Sequence, residues 1–115
     1  MFGEETAKSL VEKYRIATTK EGYAVFYQFD IRDRCRAGKI IPYNPQTGHR
    51  IKDGSVPAAM WVHSRLKAQQ QLPDDWTLSQ CLFGEHLLSL CPALPVALVE
   101  AEKTAVICSA VFPEF

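Results

Sequence analysis

A chain of 115 residues with 47% hydrophobic content can build one domain around a real core, and that composition excludes a disordered tail. Its formal net charge of zero provides no global field to draw it onto nucleic acid or an anionic membrane, so any polyanion contact has to come from a local patch. No apolar run reaches the roughly 20 residues of a membrane span, and the N-terminus lacks the basic-then-apolar layout of a signal peptide, so a cytosolic protein without membrane contact is expected.

The first element is predicted over Glu4 to Tyr14, where Ala7, Leu10, Val11 and Tyr14 recur at helical spacing. Glu4 and Glu5 in its first turn and Lys13 and Arg15 at its end match the helix dipole. Glu21-Gly22 then turns the chain into Tyr23 to Ile31, aromatic and β-branched and therefore a strand. Lys39-Ile40-Ile41-Pro42-Tyr43 reads as a second extended piece, returning through the turn residues Asn44 to Gly48 into His49-Arg50-Ile51-Lys52. Because Pro42 cannot donate a ladder hydrogen bond, this hairpin is expected at a sheet edge. A third apolar piece follows over Pro57 to His63, with helix formers from Ser64 to Gln71.

A helix is predicted within Leu78 to Leu90, with Leu82, Phe83, Leu87 and Leu90 on one side. The bare apolar run Pro95 to Val99 then has the form of a buried parallel strand, delivering Glu100 to its C-terminal end before a further helix. Trp61, Trp76, Phe26 and Phe83 are core candidates, and His63 and His86 are expected in packing or capping roles. Cys35, Cys81, Cys91 and Cys108 form no C-x-x-C pair and are expected as buried or half-buried thiols, with a zinc site from Cys35, His49 and His63 unsupported by their spacing.

Between Arg32 and Lys52 stand Arg32, Arg34, Arg36, Lys39, Arg50 and Lys52 against Asp33 alone, so the chain is polarised rather than uniformly neutral. Such a ribbon can pair with phosphates while Tyr43 offers a stacking face, although edge strands also carry charge merely to prevent aggregation.

Three landmarks stand in fixed order: Phe26 to Asp33 followed by Gly38-Lys39-Ile40-Ile41 and the basic hairpin, then Leu82-Phe83-Gly84-Glu85-His86-Leu87, then Val96 to Ala105. This order resembles the bacterial and phage DNA primase family, in which a hairpin and a short leucine-glycine element precede a Toprim strand ending in glutamate-glycine. More narrowly, Tyr43 to Arg50 and Cys81 to Leu88 are similar to segments of Toprim-like proteins of the DUF6371 type, found in Bacteroidetes and their mobile elements. The departures are Ala101 in place of the usual glycine and Thr104 where primases commonly carry an aspartate.

The resemblance implies an α+β fold, in which an N-terminal antiparallel sheet and hairpin region with flanking helices leads into the first βα unit of a Toprim-like α/β domain. The expected divisions are a helix in 1–20, an antiparallel β subdomain with the basic hairpin in 21–75, and a helix with the first βα unit in 76–115. It further implies a role for Glu100 in proton relay or in directing Mg²⁺, whose Asp-x-Asp partners would lie further along an intact protein. Without them the fragment is expected to hold no cofactor and to be inactive, with Arg32, Arg34, Arg36, Lys39, Arg50, Lys52 and Lys103 facing DNA. The competing expectation is a non-catalytic nucleic-acid- or protein-binding module, and dimerisation through an exposed sheet edge suits either.

Overall fold

The computed structural model describes residues 3–115. It is an α+β structure whose centre is one four-stranded antiparallel sheet, with strands β1 (Ala17–Thr18), β2 (Ala24–Phe29), β3 (Cys35–Ile41) and β4 (Met60–Trp61) adjacent in chain order. Helices α1 (Glu4–Tyr14), α2 (Val62–Ala68) and α3 (Glu102–Val111) surround it. No described helix is long and apolar enough to cross a membrane.

α1 occupies the predicted residues, with Glu4 and Glu5 in its first turn and Lys13 in its last. It stops where Arg15 takes a left-handed conformation, and Tyr14 turns inward to stack on Phe83 at 5.1 Å between ring centroids. The core lies on β2 and β3: Val25, Phe26, Ala37, Ile40 and Ile41 are buried, the last at 0% exposure. Gly38 is required there by a close approach, because a Cβ at this position would lie 2.7 Å from Val62 Cγ2 and 2.9 Å from the Tyr27 ring. The missing side chain lets α2 sit against β3.

A register shift between Gln28 and Phe29 leaves Arg36 as the extra residue on β3. Beyond it Asp30 organises the β2–β3 turn. Its Oδ1 accepts the Arg32 and Arg34 backbone N–H groups at 2.9 and 3.0 Å, while its Oδ2 accepts the Arg34 side chain at 2.8 Å.

Several expectations are corrected. Pro42 marks no edge: it is fully buried just past β3, a strand that has neighbours on both sides. The return over His49 to Lys52 forms only a single bridge, Tyr43 to Arg50. The piece over Pro57 to His63 contributes just the two residues of β4 before α2 begins.

Within Leu78 to Leu90 only Glu85–Leu87 coils, as a 3-10 turn, because Gly84 takes φ 84° and no right-handed helix passes through that conformation. Leu82 and Leu90 are consequently exposed. The run Pro95 to Val99 is not a strand: among the described residues it has no ladder partner, Pro95 offers no N–H, and Leu98 is 81% exposed. Trp76 and the thiols of Cys35 and Cys91 are also exposed. His86 does pack as expected, buried against the Phe29 ring with Nε2 3.0 Å from the Lys13 carbonyl.

Candidate nucleic-acid interface

The predicted basic residues divide between the two ends of the β2–β3 hairpin. At the end beyond β3, Asn44 closes the loop: its N–H reaches the His49 carbonyl and its carbonyl accepts the Gly48 N–H, both at 2.8 Å. The Asn44 side chain also accepts the Gln46 and Thr47 N–H groups, which narrows the loop. This places His49, Arg50 and Lys52 opposite the start of α3. Together with Tyr43, Ala101, Lys103 and Thr104 they line a groove of about 410 Å³.

Lys103 ties the two walls together. Its Nζ donates to the Gly48 carbonyl at 2.6 Å and lies 5.1 Å from the centre of the Tyr43 ring. That contact corrects the expectation of a stacking platform at Tyr43, since a cation sits over the ring while Phe26 packs edge-on at 6.4 Å. Burial pushes the Tyr43 hydroxyl above its usual range, opposed by the nearby Arg50 guanidinium. The phenol therefore stays neutral at physiological pH, and the groove's charge comes from its cations.

Beneath the groove Lys39 meets Glu102 at 3.3 Å, both side chains largely buried. Lys39 reaches it because the face of β3 that carries Lys39 and Ile41 also carries Phe26, the partner of Lys39 in register. The pair is internally neutral. Among the described residues Arg50, Lys52 and Lys103 have no carboxylate partner within salt-bridge distance, so they make the groove electropositive.

At the other end, Arg34 is spent on Asp30. Arg36 donates to the Ser79 carbonyl at 2.9 Å, and Arg32 is exposed on the turn. These three stand apart from the groove, roughly 20 Å of extended chain from Tyr43. Glu100 is an exposed bend residue just before the groove-lining Ala101. The carboxylate that faces inward is Glu102, which in sequence looks like ordinary charge at a helix start. His49 and the Gly48 carbonyl also join the site without advance notice, since only the loop closure brings them to α3.

The Mg²⁺ that the primase resemblance implies does not fit these residues: Glu100 is exposed on a bend and Glu102 is engaged by Lys39. Among the described residues no three His, Cys, Asp or Glu side chains gather to hold a metal. Cys81 is pushed up to about 11, chiefly by burial and further by the nearby Glu85, and its protonated thiol is a poor nucleophile.

The groove between the hairpin loop and the start of α3 thus lies on an α+β scaffold of a four-stranded antiparallel sheet and three helices. The DUF6371 family model, described as a domain of unknown function, matches residues 1–115, and the chain belongs to that family. Neither the curated proteins nor the solved structures yielded a match.

Proposed function

We propose that this domain binds nucleic acid through the groove between the Tyr43 to Lys52 loop and α3, as part of a primase-related protein serving DNA replication or mobile-element maintenance. The relation to primases and Toprim domains rests on the order of sequence motifs. The observation that carries the binding role is the convergence of Arg50, Lys52 and Lys103 on one groove while the adjoining Glu102 carboxylate is neutralised by Lys39. Cations that no carboxylate neutralises, set on a concave face, are the usual means of holding a phosphate backbone. In this reading the described residues bind and position, and no chemical step is assigned to Glu100.

The test is the salt dependence of binding to fluorescein-labelled single-stranded and duplex DNA, followed by anisotropy. Neutralising one of Arg50, Lys52 or Lys103 should lower the slope of log K against log salt by about 0.7 to 0.9. Reversing all three charges should abolish binding, whereas reversal of Arg34 should leave it intact. Wild-type affinity in the triple reversal would remove the groove from consideration.

A further inference from the structure

Between His86 and Glu100 the chain carries no charged side chain, and Ser89 is its one hydrophilic residue. Such a stretch has the composition of a core, yet every residue of 88–98 is exposed, with Leu90, Val96 and Leu98 at 71%, 68% and 81%. Scattered leucines are ordinary on a surface, but more than about four exposed apolar residues in a row mark a face that something covers. The backbone is equally unpartnered. Among the described residues, 95–100 belong to no ladder and make no backbone hydrogen bond, so the Val96 to Val99 N–H groups are left for water or a partner.

The whole chain carries more surface than its mass requires. Its accessible area is 8224 Å², against roughly 6,300 Å² for a compact folded monomer of 12.9 kDa, an excess of about 1,900 Å². The radius of gyration, 15.2 Å, likewise exceeds the roughly 13.3 Å expected at this length. A standard interface covers about 800 Å² on each partner and an obligate homodimer as much as about 2,500 Å², so the excess is enough for a stable dimer. The sheet edges do not provide that interface, because β1 and β4 are two residues each. Run 88–98 is the larger open face. The ionisable residues nearest its ends include Glu85 and Glu100, which disfavour an anionic membrane or a nucleic acid as its cover.

We infer that run 88–98 is a self-association surface, covered by the same run of a second copy of this chain in an isologous, antiparallel dimer. A second copy brings an equally apolar face of the same length, and no charge on either run is desolvated when they meet. Its own unpaired Val96 to Val99 groups answer those of the first chain reciprocally, as strands of opposite direction do. With a formal net charge of zero, the two copies approach without mutual repulsion. The inference is independent of the groove and of what the groove binds.

Sedimentation equilibrium of the full chain, from about 1 to about 500 μM, reads the answer as mass. The chain should pass from the 12.9 kDa monomer to twice that mass within this range. Leu90→Asp and Leu98→Asp should each weaken the dimer about 30-fold or more, because each would desolvate a carboxylate in the seam. Both side chains are exposed in the single chain, so the urea midpoint at the dilute end should not move, which separates a lost dimer from a lost fold. Val111→Asp, at an exposed apolar position outside the run, should leave the dimer intact. A dimer that survives both aspartates, or one that Val111→Asp breaks, would place the interface elsewhere and overturn the inference. A chain that stays monomeric throughout would also overturn it, and flotation of that monomer with neutral phosphatidylcholine vesicles would assign the run to a lipid surface.

Discussion

The β2–β3 hairpin and the segment from Trp76 to Val99 are both rich in apolar residues, yet one forms the core while most of the other, apart from the Phe83 to Leu87 stretch, lies on the surface. In the hairpin, strand pairing satisfies the backbone and both sheet faces are covered, so Ile40 and Ile41 are at 1% and 0% exposure. In the later segment Leu82, Leu90, Val96 and Leu98 are all exposed, and only a 3-10 turn is regular. Apolar composition therefore does not bury a segment here. A neighbour able to take its backbone hydrogen bonds is needed as well.

The comparison is tested most severely at the centre of the sheet. Ile41→Ala should cost about 2–5 kcal/mol in urea unfolding, because the site is closed on every side and cannot collapse around the lost methyls. A cost under 1 kcal/mol would mean that the hairpin is no better packed than the later segment. Gly38→Val should come next, at about 1–3 kcal/mol, since the added carbons press on Val62 and Tyr27. The circular dichroism of the variant should show whether α2 has been lifted from the sheet.

Acid should act on the hairpin through its turn. The Arg34 backbone N–H, with the Arg34 side chain and the Arg32 N–H, holds the Asp30 carboxyl below its ordinary 3.8. A depressed carboxylate stabilises the fold above its unfolded pKa and loses that contribution as pH falls through the folded value. The urea midpoint should thus decline below about pH 4, and Asp30→Asn should flatten that decline. An unchanged acid limb in Asp30→Asn would show that the turn is not held by this charge. The smallest effects belong to the exposed segment: Leu98→Ser and Glu100→Gln should each alter stability by less than about 0.5 kcal/mol. A marked loss of DNA binding in Glu100→Gln alone would return that carboxylate to the site.

Local signals were reliable where their cause was local. The spacing of Ala7, Leu10, Val11 and Tyr14, with acids first and bases last, was enough to place α1. The aromatic and β-branched run that became β2 and the turn chemistry of Asn44 to Gly48 were equally legible. The α+β character followed from these. The segment from Pro95 to Val99 was misleading because a bare apolar run states what a strand could bury and not whether a partner is present. Leu78 to Leu90 misled because the left-handed Gly84 interrupts a periodicity that is otherwise sound.

The site divides in the same way. Sequence by itself determined that positive charge is concentrated between Arg32 and Lys52 and that a helix begins near Lys103. Only the tertiary structure decided which of those charges act together. The Asp30 turn draws off Arg34, Ser79 takes Arg36, and Lys39 is used to neutralise Glu102. Arg50, Lys52 and Lys103 remain to form the groove. The physical reason is that a charge's value depends on what lies within a few ångströms of it, and those neighbours are set by strand register and loop closure across dozens of residues.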